Sequence, residues 1–171
     1  MKRGLPWLYL VLALGGLALD QGVKAWVRGA LFEGQVLARP LPGIFELKLT
    51  YNHGIAFGLM SGMGYLFAPI ALLIAGGTAY YAFKHPQDRG IGMWANGLLC
   101  AGAVGNLIDR VWMGKVTDLF WFRPINFPVF NVADTFITVA AVLLMVTSML
   151  PEKKPVETAT EAAENEVTNQ Q

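Results

Sequence analysis

Charge is what this chain of 171 residues has least of: Asp, Glu, Lys and Arg together make up 15% of it. A water-soluble domain of ordinary composition carries about 25%. The shortage is local, since Gly4 to Leu19, Tyr65 to Phe83, Ile91 to Ile108 and Thr135 to Leu150 hold no charged residue at all. Cysteine is nearly absent as well. Cys100 stands alone inside the third of those runs, which excludes a disulfide framework and reads as packing, not as a nucleophile. The two histidines, His53 and His85, fall in separate loops, so neither a metal site nor a Ser-His arrangement is supported, and no cofactor is expected. A net charge of +1 without a basic cluster leaves no footing for nucleic acid.

The charge-free runs are what the chain has instead. Each lies near the low end of the roughly 17 to 25 residues that cross a bilayer. The first can continue through Asp20 to Val27, and the fourth can begin near Val132. They predict an α-helical membrane protein with four transmembrane helices and a single membrane domain over residues 1–150. Lys2 and Arg3 precede the first run as they would a secretory signal, but three more runs follow, so it reads as a retained helix. Lys2, Arg3, Lys84, Arg89, Lys153 and Lys154 are packed beside span ends on one side, which favours cytoplasmic N- and C-termini. Trp7, Trp26, Trp112 and Trp121 lie near the predicted span ends, where interfacial aromatics collect.

Between the first two spans, Ile44 to Tyr51 alternates apolar and polar residues, the pattern of a half-exposed strand. Pro40, Pro42 and Gly43 mark its start and Asn52-His53-Gly54 its end, which predicts a small periplasmic β element near 33–58, resting at the membrane interface. From Pro151 to Gln171 the chain turns polar and predicts a disordered tail.

The remaining acids sit where apolar runs meet water. Carboxylates there are costly to bury and are usually kept for chemistry or ion handling. Asp20 and Lys24 share a helical face, either as a charge-neutralising pair or as support for a site. Asn52 and Gly54 form a turn leaving the strand, or else Asn52 presents its amide to a substrate. Asn106, Asp109 and Arg110 share one face at the end of the third run, with Gly102 and Gly105 before them to allow close helix contact. Asp109 reads as a structural acid paired with Arg110 or Lys24. Asp118 is a solvated loop acid or half of a dyad. Asp134 falls three residues after a predicted N-cap, Asn131, and is an ordinary capping residue or the other half. Two close carboxylates in an apolar setting share a proton, so one can activate water while the other polarises a carbonyl.

With these residues in place, the chain resembles the bacterial lipoprotein signal peptidases, the type II signal peptidase family. The resemblance rests on five ordered segments: Asp20-Gln21-x-x-Lys24, Tyr51-Asn52-x-Gly54-x-Ala56-Phe57, Gly105-Asn106-x-x-Asp109-Arg110, Val116-x-Asp118 and Phe130-Asn131-x-Ala133-Asp134. It departs from the family in having Leu119-Phe120-Trp121 after Asp118, where a second acid is frequent. The resemblance implies an aspartic endopeptidase of the bacterial inner membrane, without metal or cofactor. Its partners would be diacylglyceryl prolipoproteins and membrane lipids, with the cut before the lipidated cysteine by a monomer. Asp118 and Asp134 would be the catalytic pair. Asn52, Gly54, Asn106, Arg110 and Asn131 would bind substrate, and Asp20, Lys24 and Asp109 would support the site. It also implies a peripheral β cradle and a mobile outer segment over the site. Two other classes remain on composition: a proton-coupled transporter with Asp109, Asp118 and Asp134 as a relay, and a membrane scaffold.

Overall fold

A computed structural model describes residues 5–54 and 67–149. The predicted polar tail and the end of the predicted β segment lie outside those residues. Four helices carry the chain: α1 (Trp7–Ala30), α2 (Ala68–Lys84), α3 (Ile91–Met113) and α4 (Val132–Met149). Strands β1 (Val36–Leu41) and β2 (Phe45–Asn52) follow α1, and β3 (Val116–Phe122) lies between α3 and α4.

The first, third and fourth apolar runs become α1, α3 and α4, which are long and apolar enough to cross a membrane. The second becomes α2, with 17 described residues, so the helices establish three candidate spans where the sequence predicts four. Their outward surfaces are apolar. Val11, Leu14 and Leu19 on α1, Leu72 and Leu73 on α2, and Val142 and Met145 on α4 are all exposed. Such a surface suits acyl chains.

Helix α3 is the central post and packs on α1, α2 and α4. Its small residues decide how closely. A Cβ on Gly102 would lie 2.5 Å from the Ala133 carbonyl oxygen, and one on Gly105 would lie 2.5 Å from Asp20 Oδ2. Glycine at these two positions therefore lets the first turn of α4 and the polar face of α1 reach α3 directly. At its end α3 stops on Gly114, whose φ of +69° is left-handed and whose N–H bonds to the Arg110 carbonyl at 3.0 Å. That turn folds the chain back as β3.

The three strands form one antiparallel sheet in the order β1-β2-β3. Thr50, Tyr51 and Asn52 of β2 stand opposite Asp118, Thr117 and Val116 of β3. Leu49 and Leu119 from the sheet pack with Val27 and Leu31 from the end of α1, fixing the sheet to the bundle. The predicted strand at 44–51 is β2. β1 falls inside the β element expected near 33–58, and β3 was not foreseen. β1 contains Pro40, which an edge strand tolerates because one side of it has no ladder to satisfy. β3 lacks alternation because Val116 to Leu119 are all buried, so its sequence hides the strand.

Candidate active site

The site is assembled where the C-terminal ends of α1 and α3, the start of α4 and strand β3 meet. It begins with buried charge. Lys24 Nζ lies 2.9 Å from Asp20 Oδ2 and 3.5 Å from Asp109 Oδ2, and all three side chains are almost wholly removed from solvent. Buried charges survive only when paired and hydrogen-bonded. These are. Asp20 Oδ1 accepts the Ala133 N–H at 2.9 Å, satisfying an otherwise unpaired donor in the first turn of α4. Asp109 Oδ2 accepts the Thr117 N–H at 2.8 Å, and Arg28 Nη1 lies 3.4 Å from Asp109 Oδ1 while donating to Thr117 Oγ1 at 2.9 Å. Asp109 is thus the structural acid the spacing suggested. Its cations are Lys24 and Arg28, and Arg110 points elsewhere.

Two amides carry the network from this cluster to the remaining acids. Asn106 Oδ1 accepts from Lys24 Nζ at 2.9 Å and from Asn131 Nδ2 at 3.1 Å, while Asn106 Nδ2 donates to Asp134 Oδ1 at 2.7 Å. Asn131 Nδ2 also donates to Asp118 Oδ1 at 2.7 Å. Asn131 Oδ1 takes the Asp134 N–H at 2.9 Å, and Asp134 Oδ2 takes the Asn131 N–H at 3.1 Å. That reciprocal pair is a capping box at the head of α4. The capping reading of Asp134 and its place beside Asp118 are therefore both realised, because one carboxylate oxygen caps and the other meets Asn106.

Asp118 is buried on β3, with Asn131 and Asn52 as hydrogen-bond partners. Burial, followed by the negative charge of Asp134, pushes its carboxyl up to about 7, against the lowering effect of the Asn131 bond, the Lys24 charge and the Asn52 bond. It is not the solvated loop acid that the sequence allowed. Asn52 also accepts the Gly54 N–H on its Oδ1 at 2.9 Å, so the turn reading holds and the same amide still reaches Asp118.

Asn52, Asn106, Arg110, Asp118 and Asp134 line one cavity of about 440 Å³, walled on its apolar side by Phe127, Val129, Phe130, Ile137 and Val139. Arg110 sits 5.9 Å from the centroid of Phe67 and donates to the Asn106 carbonyl at 3.3 Å. Asp20, Lys24, Asp109 and Asn131 stand behind this wall, and Gly54 serves the Asn52 turn. The sequence reading missed Arg28 and Thr117, which tie β3 to the helices. Arg28 was findable: it follows Lys24 by one helical turn and continues the face of Asp20. Thr135 and Thr138, which also line the cavity, carried no signal beyond their spacing on α4.

A family model described as signal peptidase (SPase) II matches residues 12–150. The chain is 40% identical over 152 residues to the lipoprotein signal peptidase of Gloeobacter violaceus, covering 87% of this chain and 85% of that one. It is 36% identical to the lipoprotein signal peptidase of Streptococcus pneumoniae, over 89% of this chain and 96% of the other. It also resembles a bacterial membrane enzyme whose structure was determined by the in meso method at 2.3 Å resolution, with a TM-score of 0.75 and 29% identity, over 86% of this chain and 93% of that one.

Proposed function

The chain belongs to the signal peptidase II family of membrane proteases, and from that premise we propose that it is an aspartic endopeptidase that removes the signal peptide from diacylglyceryl prolipoproteins. One observation carries the reading: Asp118 and Asp134 line the same cavity and are bridged by Asn131. The pair shares one proton. The ionised carboxylate takes a proton from a water molecule held between the two, and the resulting hydroxide attacks the scissile carbonyl carbon. The protonated carboxyl gives its proton to the carbonyl oxygen. When the tetrahedral intermediate collapses, one of its hydroxyls returns a proton to the ionised carboxylate as the carbonyl re-forms, the C–N bond breaks, and the other carboxyl's proton passes to the departing amine, which belongs to the lipidated cysteine. Both acids return to one shared proton.

Asn52, Asn106 and Arg110 bring donors to the cavity wall at positions suited to peptide carbonyls, and Arg110 adds positive charge where the oxyanion develops. The apolar wall of Phe127, Phe130, Ile137 and Val139 suits a lipid-bearing residue. Asp20, Lys24, Asp109 and Arg28 hold α1, α3, α4 and β3 in register. The enzyme works as a monomer of the bacterial inner membrane with its termini in the cytoplasm, its site near the outer face and α2 as a fourth span. Residues 1–150 are its one domain. Its aspartic chemistry uses no cofactor.

The test is cleavage of a diacylglyceryl-modified prolipoprotein by purified protein in detergent, with Asp118→Asn and Asp134→Asn beside Asp88→Asn in the α2–α3 loop. Loss of cleavage by the first two alone, with all three folded, is the expected result. Full cleavage by either dyad variant moves the chemistry elsewhere, and failure of the wild type returns the acids to ion transport.

A further inference from the structure

The outer end of the sheet carries charge and an apolar rim of which Phe127 alone also lines the cavity beside Asp118 and Asp134. Glu46 on β2 is 3% exposed and holds two guanidiniums on one oxygen, Arg123 Nη1 at 2.9 Å and Arg39 Nε at 3.4 Å. Its cross-strand neighbour Trp121 has Lys48 Nζ at 5.0 Å and the Arg123 guanidinium at 5.1 Å from its ring centroid. Two guanidiniums share this one carboxylate and Lys48 stands over the adjacent tryptophan, leaving positive charge in excess. Arg39 and Arg123 are 63% and 45% exposed and spend one nitrogen each on Glu46. Exposed guanidiniums keep further donors in the fork geometry that suits phosphate.

Beside these cations lies an apolar rim. Leu41, Ile44, Phe122, Ile125 and Phe127 are exposed, and Ile125 is 70% so. The β1–β2 turn and the connection after β3 are tied together by the Arg123 N–H to the Ile44 carbonyl at 2.9 Å and the Phe127 N–H to the Phe122 carbonyl at 3.0 Å. All five side chains thus belong to one end of the sheet. An apolar rim flanked by cations and an interfacial tryptophan matches a single environment, the boundary between acyl chains and anionic headgroups.

We propose that this end of the sheet docks on anionic lipid of the bilayer that holds the helices. The apolar rim enters the acyl boundary, and Arg39, Lys48 and Arg123 hold phosphodiester groups. Because β3 runs from this end to Asp118, docking steadies the strand that carries the acid. The inference rests on the membrane reading above and not on the peptidase chemistry.

The experiment places the full chain in lipid nanodiscs made with and without phosphatidylglycerol. A nitroxide is attached at Ile125→Cys in a Cys100→Ala background, and its accessibility is measured to oxygen and to a water-soluble nickel chelate. The label is expected to lie in the apolar zone, deeper when phosphatidylglycerol is present. Arg39→Gln/Lys48→Gln leaves the Arg123–Glu46 bond in place, so the sheet stays folded. In that variant, which keeps only Arg123 of the three cations, most of the extra depth is lost, while Arg39→Lys/Lys48→Arg keeps it. A label exposed to water in both lipids overturns the proposal and leaves the surface to a protein partner. So does lipid dependence that the double Gln substitution leaves undiminished. Prolipoprotein cleavage in the same discs is scored separately, so a docked but inactive protein counts against the peptidase reading alone.

Discussion

Asp118 carries a conflict that the proposed chemistry needs. Its carboxyl is raised to about 7 first by burial and then by Asp134, and it is restrained chiefly by the Asn131 amide. Two substitutions therefore move it in opposite directions. Asp134→Asn removes a neighbouring negative charge and lowers it. Asn131→Ala removes the strongest contact to its charged form and raises it. Infrared titration of the Asp118 carboxyl band checks both signs, and equal shifts in one direction would refute the coupling. On the proposed mechanism, cleavage is expected to fall as pH rises past about 7, where Asp118 loses its proton. The stability linkage has the same origin. The folded state holds the Asp118 proton from the ordinary value of 3.8 up to about 7, while the unfolded chain has already released it. Asp118 thus destabilises the fold progressively across that window. Asp118→Asn is expected to raise the melting temperature at pH 8 by an amount worth a few kcal/mol at most, and to abolish cleavage. A variant melting below wild type at pH 8 would contradict the burial argument.

The elements bring these residues together by close contact along α3. Gly102→Ala puts a Cβ 2.5 Å from the Ala133 carbonyl, so α4 must move away and take Asp134 with it. A loss of about 1–3 kcal/mol in stability is expected. Gly76→Ala on α2, where a Cβ meets nothing within 4 Å, should be neutral or slightly stabilising, as thermal unfolding in detergent can show. At the other end of the site, Arg28 ties Asp109 to Thr117, next to Asp118 on β3. Arg28→Gln is expected to lower kcat about tenfold or more with little change in KM, because the strand loosens while the cavity wall stays. An unchanged kcat would leave Arg28 no positioning role. These elements also mark what the sequence could reveal. Charge-free runs disclosed α1, α2, α3 and α4, and the spacing from Asn131 to Asp134 disclosed the cap. β3 stayed hidden because burial of every residue from Val116 to Leu119 erased the alternation that betrays a strand. The bonds from Asn106 to Asp134 and from Asp20 to Ala133 stayed hidden too, since they depend on how closely Gly102 and Gly105 let three helices approach.

Across the whole molecule, the contacts at the site constrain the path of the chain through the membrane. Lys24 and Arg28 near the end of α1 meet Asp109 near the end of α3, so both helices finish at the same face. The chain leaves that face after α1 and must return to the opposite one before α3 begins at Ile91. Helix α2, which packs on α3, is the described segment placed to make that return. Its 17 residues span about 26 Å, close to the ~30 Å hydrocarbon thickness. Helix α4 starts at the site, where Ala133 bonds to Asp20, and so heads back toward the face from which α1 came. We therefore expect four crossings with both termini on one side. Single cysteines in a Cys100→Ala background test this in intact cells. Asn126→Cys, in the connection after β3, should react with an impermeant maleimide from outside. Asp88→Cys, between α2 and α3, should react only after the membrane is opened. Labelling of Asp88→Cys from outside would mean that α2 does not cross, and α1 and α3 could not then both end beside the dyad.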